Sequence, residues 1–316
     1  MEKSETKAET KISVVLPTYN RCELLKKALD SAVNQTYINL EILVADNHSD
    51  DGTEELCREY AAKDSRIKYF RQDENIGMVA NANFIVSKVT GDYWLGMCDD
   101  DWIDLDYIEK MMDFALKNPN YTAVFSLTKL YNPNGELIAT AKTRKLDYKN
   151  VNKRVKKLIS INLENLCIGF YKSSVLKQME ESDGGMYKSR LAEDWLMTFK
   201  HLVAGKGKIL DNVYYHKILD GITKDLEATK KLWGIDDLNE NNYWNKLGLT
   251  LSDAILKDKF FELYLDEKQR KELAKTAYSA ALSYESKKIK TYIKRHPLFF
   301  FRKKFWTLLQ TNLKGI

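Results

Sequence analysis

The sequence predicts an α/β protein with a mixed, mainly parallel central sheet flanked by helices, and a helical C-terminal extension. Three observations point there. In the first 120 residues, short apolar runs alternate with stretches of helical spacing, the rhythm of βαβ units. These runs end in Pro17-Thr18-Tyr19-Asn20, in Asp46-Asn47 and in Asp99-Asp100-Asp101, so polar groups gather where a parallel sheet presents a ligand site. From residue 226 onward the spacing is almost wholly helical.

The elements follow in order. Residues 1–10, MEKSETKAET, form a polar lead-in expected to be disordered. Ile12–Leu16 is a β-branched run ended by Pro17, and residues 21–35 put Leu24, Leu25, Ala28, Leu29, Ala32 and Val33 on one helical side. Leu40–Ala45 is the second strand, Thr53–Lys63 a helix, Ile67–Arg71 the third strand, and residues 78–88 a helix. Tyr93–Cys98 is the fourth strand and runs straight into the three aspartates. Residues 104–118 are helical, with Tyr107, Ile108, Met111, Met112, Phe114 and Ala115 as the apolar set. The rhythm then changes. Thr122–Leu130 is a strand, Asn132-Pro133-Asn134-Gly135 a strong turn, and residues 136–140 a hairpin partner. The lysine-rich stretch 142–157 is expected to be a solvated, mobile segment. Leu166–Tyr171 and Lys208–Tyr215 read as strands, with a helix around residues 190–204 between them.

At 316 residues the chain suits one large domain or two modest ones, and 44% apolar with 30% charged residues is the composition of a globular protein. The net charge of +5 is unevenly placed: residues 286–316 hold nine Lys or Arg and no Asp or Glu, leaving about −4 on the rest. A body of that sign is not expected to grip nucleic acid. Cys22, Cys57, Cys98 and Cys167 form no CxxC pair, which excludes a local zinc or redox motif and suits reduced cytosolic thiols. The N-terminus has no apolar core of a secretory signal, and no apolar run reaches the roughly 18 residues of a spanning helix.

Four segments carry a family likeness. Ser13-Val-Val-Leu-Pro-Thr-Tyr-Asn-Arg21, Ala45-Asp-Asn-His-Ser-Asp-Asp-Gly-Thr53, Asn75-Ile-Gly77 and Gly91-Asp-Tyr-Trp-Leu-Gly-Met-Cys-Asp-Asp-Asp101 together resemble, in order and spacing, family 2 glycosyltransferases of the bacterial surface-glycan type. The likeness covers roughly residues 11–220. It implies the Rossmann-like GT-A fold, with a catalytic domain at 11–225 divided into a nucleotide-binding half (11–120) and an acceptor half (121–225), followed by a helical region at 226–316.

The acidic triplet makes chemical sense with such a substrate. A nucleotide diphosphate is a dense anion that bare carboxylates repel, so a cation must stand between them, and Mg²⁺ or Mn²⁺ suits carboxylate and phosphate oxygens. The resemblance implies Asp101 as metal ligand and Asp99 on the ribose or the metal, with Asp100 the less certain member. Three aspartates exceed what a helix N-cap needs, and Asp104 can fill that role. The resemblance further implies that Asp46 accepts a hydrogen bond from the base, with Pro17, Thr18, Tyr19 and Asn20 lining the same pocket. His48 reads as a loop residue. Gly77 suits either a close backbone approach or a plain turn. Where many relatives carry Ala-Arg-Asn, this chain has Asn81-Ala-Asn83, so the phosphate contact falls to Asn83 or Asn81.

Glu193-Asp194-Trp195 follows about 90 residues later. An acceptor hydroxyl attacking an anomeric carbon must lose its proton, and the family pattern makes Asp194 the base of a single inverting displacement. Glu193 is a neighbour that orients or caps, and Trp195 either stacks on an acceptor sugar or belongs to the core. Some relatives place a metal-binding histidine where His216 stands, but the local pattern departs from the usual one, so His216 is a metal ligand or takes the place of an arginine. The basic aromatic tail has two open readings, a contact of residues 286–316 with an anionic membrane or a docking helix. The first suits a cytoplasmic enzyme peripheral at the inner face of the plasma membrane and a lipid-linked glycan acceptor. Self-association is left open. Two rivals remain: a nucleotidyltransferase, which Pro17-Thr-Tyr-Asn-Arg21 disfavours because it is not a Gly-rich phosphate loop, and a non-catalytic nucleotide-sugar or glycan-binding module.

Overall fold

The computed structural model describes residues 7–161, 168–183, 193–218 and 243–295, without the side chains of Asp183, Glu193, Glu285 and residues 287–295. Its centre is one mixed sheet. In chain order the strands are β1 (Ile12–Thr18), β2 (Leu40–Asp46), β3 (Ile67–Arg71), β4 (Tyr93–Gly96), β5 (Asp101–Ile103), β6 (Tyr121–Tyr131), β7 (Leu137–Thr140), β8 (Phe170–Lys172) and β9 (Lys206–Ile218). They lie in the order β3-β2-β1-β4-β8-β6-β9-β5, with β7 hairpinned onto β6. The first four pair in parallel, β6 and β9 pair in parallel, and β8 and β5 enter antiparallel.

β1 and β2 are buried on both faces, hence their near-continuous apolar runs. Alternation sends Ile12, Val14, Leu16, Ile42 and Val44 into one core, and Val15, Leu43 and Ala45 into the other. The first core is closed by α1 (Cys22–Val33), α2 (Thr53–Lys63) and α4 (Tyr107–Lys117). The second is closed by α3 (Met78–Val86), α5 (Val151–Ile161), α6 (Ser173–Asp183) and α7 (Glu193–Ala204), and beyond them by α8 (Tyr243–Lys257), α9 (Lys259–Glu262) and α10 (Glu267–Arg295). Burial of each large aliphatic side chain contributes about 1.5–3 kcal/mol, and both cores are rich in them.

Most expected elements form, and three differ. The lysine-rich segment is not a mobile strap in its second half. α5 buries Val155, Leu158 and Ile159 at helical spacing and turns lysines outward. Arg154 anchors it by donating to the carbonyls of Tyr148, Lys149 and Leu202, the last at the C-terminus of α7. α6 and the three-residue β5 were not expected. The hairpin partner begins at Leu137, and its strand is exposed throughout. The expected strand from Leu166 forms only at Phe170–Lys172, with residues 162–167 outside the described set. The lead-in to residue 6 and the tail from residue 296 also lie outside it.

Candidate active site

The carboxyl ends of β1, β2 and β4 meet at one edge of the sheet. Thr18 closes the β1–β2 ladder opposite Asp46, and its hydroxyl donates to Asp99 Oδ2 at 2.8 Å. Arg21 Nη1 donates both to Asp99 Oδ1 at 3.0 Å and to Asp100 Oδ2 at 2.8 Å. Pro17 is half-buried and Tyr19 exposed at the mouth. Asn20 takes a left-handed conformation, φ 50°, and ties the two loops together: its N–H donates to Ser49 Oγ, and its side-chain oxygen accepts from the Asp50 N–H.

Asp46 is enclosed, with 0% of its surface exposed. One oxygen accepts from Ser49 N–H and Oγ–H, the other from Tyr69 at 2.7 Å. Both oxygens are therefore engaged by the protein, and Asp46 holds the 47–51 loop. The neighbouring Asn47 bridges to the next loop, donating to Asn75 Oδ1 and accepting from the Ile76 N–H. Asn75 also receives the Gly77 N–H. Gly77 sits at φ 85° with nothing within 4 Å of where a Cβ would stand, so turn geometry accounts for the glycine. Asn81 is buried and turned inward, donating to the Ala45 carbonyl and accepting from Gln72. Asn83 is half-buried on α3. His48 is exposed in its loop, as expected.

The acidic turn has the strongest electrostatics. Asp101 accepts from the Tyr215 hydroxyl at 3.0 Å and the Ile218 N–H at 3.3 Å. Burial, reinforced by the Asp100 carboxylate, pushes its carboxyl up to about 7 against the pull of Lys217. Burial also raises Asp99, although Arg21 and Thr18 oppose it. A cation is the natural compensation for such a group. The side chains of Cys98, Asp100 and Asp101 place one ligand atom each within 4.8 Å of one another. The two carboxylates fit a hard divalent ion such as Mg²⁺ or Mn²⁺, whereas the soft sulfur does not favour one.

Two expected ligands stand elsewhere. Asp99 is outside that set, its two oxygens held by Thr18 and Arg21. His216 is placed apart from that set: Nδ1 is bonded to Tyr131 at 2.9 Å, Nε2 to Asp104 at 2.8 Å, and its ring stacks on Trp102. Strand alternation is the reason. In the β5–β9 ladder Trp102 pairs with His216, while Asp101 pairs with Lys217 on the opposite face. Tyr215, two residues from Lys217, shares that face and reaches Asp101. The residue that meets the acidic turn is therefore Lys217.

Asp194 is the second residue of α7, and its side chain reaches solvent. Protein atoms nevertheless crowd around it and raise its pKa, with Lys217 pulling the other way. Tyr243, at the start of α8, faces Asp194, and burial together with the Asp194 charge pushes that phenol up to about 12. Trp195 is core, packed edge-on against Phe199 and Trp244. The side chain of Glu193 lies outside the described set.

Arg21, Lys217 and Tyr243 are the site residues that sequence reasoning missed. Arg21 lay inside a quoted motif, and Lys217 was one residue from a histidine that drew attention first. Period-two counting from Asp101's partner strand would have found Lys217 had β5 been foreseen. Nothing local marks Tyr243.

Residues 13–178, just over half of the chain, match the family described as "Glycosyl transferase family 2". Among curated proteins, the hyaluronan synthase of Pasteurella multocida is 28% identical over 271 residues, 84% of this chain and 26% of that protein. The GalNAc(5)-diNAcBac-PP-undecaprenol beta-1,3-glucosyltransferase of Campylobacter jejuni is 36% identical over 116 residues, 36% of this chain and 37% of that protein. The chain thus spans well under half of the length of either relative. Among solved structures, S. aureus TarS 1-349 in complex with UDP-GlcNAc superposes with a TM-score of 0.62 at 19% identity, over 87% of this chain and 73% of that one, a likeness of fold that matches the GT-A expectation. With this motif order on this sheet and a family match across residues 13–178, the chain belongs to glycosyl transferase family 2.

Proposed function

We propose that the chain transfers a sugar from a nucleotide-diphosphate sugar, a UDP-sugar first among them, to a hydroxyl of a glycan or lipid-linked glycan, inverting the anomeric centre. The observation that carries this reading is Lys217, which pairs with Asp101 across the β5–β9 ladder and whose charge also acts on Asp194, so that the acidic turn and the helix carboxylate lie within reach of one ammonium. The TarS complex with UDP-GlcNAc supports UDP as the nucleotide, and the printed names of the two relatives support glycan and lipid-linked acceptors.

In this reading Asp194 takes the proton of the acceptor hydroxyl as its oxygen bonds to the anomeric carbon. The bond from that carbon to the diphosphate oxygen breaks, and the electron pair leaves with the diphosphate. Mn²⁺ or Mg²⁺ on Asp101 and Asp100 would supply charge neutralisation for the leaving group. Lys217 adds a fixed positive charge at the same place. Pro17, Thr18, Tyr19 and Asn20 wall the nucleotide pocket with Asn75, Gly77 and Asn83, and Asp46 holds its loops. Among the described residues no helix is long and apolar enough to cross a membrane. Work at the inner membrane face, with residues 286–316 on anionic lipid, belongs to the same proposal.

A thermal-shift panel tests the reading: UDP-, GDP- and dTDP-sugars, each with and without Mn²⁺, on wild type and Asp101→Ala. The expected result is a shift for the UDP-sugar that needs Mn²⁺ and vanishes in the variant. No shift with any donor would overturn it.

A further inference from the structure

Besides Lys217, which meets Asp101, the acidic turn already has a second cation in Arg21. A single nitrogen, Nη1, bridges Asp99 and Asp100, the second at 2.8 Å. The Arg21 side chain is half-buried, 23% exposed, so this is no loose surface pair. Among the described residues no hydrogen bond engages its Nε or Nη2. A guanidinium carries five N–H donors in a planar fork. Here one corner holds carboxylates, and the edge that fits two phosphate oxygens is unused.

Asp100 is also one of the two carboxylates that fit a divalent ion beside Asp101. Arg21 and that ion thus compete for the same carboxylate, that of Asp100, and two cations sharing it repel. An incoming diphosphate changes the balance. It gives the unused edge of the guanidinium a new partner, while its negative charge screens the arginine from the ion. Resting on the metal and diphosphate site proposed above, we infer that Arg21 couples the two ligands: it opposes the divalent ion on the empty site and favours it once a nucleoside diphosphate is present. The coupling is reciprocal, so the ion raises nucleotide affinity by the same factor. This positioning role also supplies the phosphate contact that Asn81, turned inward, does not make.

The test is equilibrium binding on the full chain. Free Mn²⁺ is followed by its electron paramagnetic resonance signal, with and without UDP, for wild type, Arg21→Met, Arg21→Gln and Arg21→Lys. In wild type UDP is expected to tighten Mn²⁺ binding by about tenfold or more, within the usual 5–150-fold range of coupling. In Arg21→Met Mn²⁺ alone binds several-fold tighter than in wild type, and the gain from UDP shrinks several-fold, to what the attraction between ion and diphosphate supplies by itself. Arg21→Gln behaves likewise and stands in should the Met variant fail to fold. Arg21→Lys, charged but without the fork, keeps the weak binding of Mn²⁺ alone and loses part of the UDP gain. Neutral variants that match wild type with and without UDP overturn the inference and leave the site reading intact. A wild type that takes up neither Mn²⁺ nor UDP overturns the site reading and the inference with it.

Discussion

Lys217 stands opposite Asp101 in the antiparallel β5–β9 ladder, and its charge opposes the rise in pKa that burial imposes on both Asp101 and Asp194. The sequence hides this relation, because β5 is three residues long and Lys217 adjoins a more conspicuous histidine.

The first prediction concerns Lys217→Met. Asp194 must be ionised to accept a proton, and burial already raises its pKa. Removal of the opposing ammonium raises it further, so the acidic limb of the kcat–pH profile moves to higher pH. At neutral pH kcat should fall by about tenfold, the factor that roughly 1.4 kcal/mol of lost transition-state stabilisation produces. Lys217→Arg keeps the charge and should restore most of the profile. An acidic limb that stays in place in the Met variant would separate Lys217 from the base.

Asp194→Asn tests the base itself. The amide is nearly isosteric but cannot take the proton, so kcat should fall by about 10²–10⁴-fold, while donor affinity, read by calorimetry, stays within about twofold. A variant that loses donor binding and turnover together would make Asp194 a binding residue.

The legible part of this protein was its first 120 residues. β1, β2 and β4 bury both faces, so their apolar runs are near-continuous, and four motifs follow β1 to β4 in fixed order. α2 and β3 have the bounds expected of them, Thr53–Lys63 and Ile67–Arg71. Beyond that point, contacts distant in sequence decide. α5 looked like part of a solvated strap because lysines outnumber apolar residues across 142–157, yet three buried side chains and Arg154 fix it. At the site, residue types were legible but orientations were not. Asp46 and Asn81 are polar residues beside a ligand cleft that turn inward to satisfy the fold, and only the partners in space reveal it.

His216 carries the third prediction. Tyr131, Asp104 and the Trp102 ring engage it fully, so its role is to tie β5 and β9 to β6. His216→Ala should cost about 2–3 kcal/mol of stability in chemical denaturation, from two lost hydrogen bonds and a lost stack. Mn²⁺ affinity should not change beyond twofold. A tenfold loss of Mn²⁺ binding in a variant that still folds would reinstate it as a ligand.

The last prediction concerns acid stability. His201 is fully buried in α7, its ring 4.4 Å from that of Tyr171, with Nδ1 bonded to the Met197 carbonyl. Burial lowers its pKa from 6.5 to about 4. The folded state therefore refuses a proton that the unfolded chain takes up once the pH drops below about 6.5. The stability tied to the neutral ring is complete above that value and drains away as pH falls toward about 4, below which both states carry the proton. Linkage sets the total loss at about 3 kcal/mol. His201→Phe keeps a flat ring against Tyr171 and cannot be protonated, so the slope of unfolding free energy between pH 6.5 and 4 should shrink, whatever the variant does to stability at pH 8. Urea denaturation at half-unit pH steps measures both slopes, and equal slopes in wild type and variant would show that other groups govern this window.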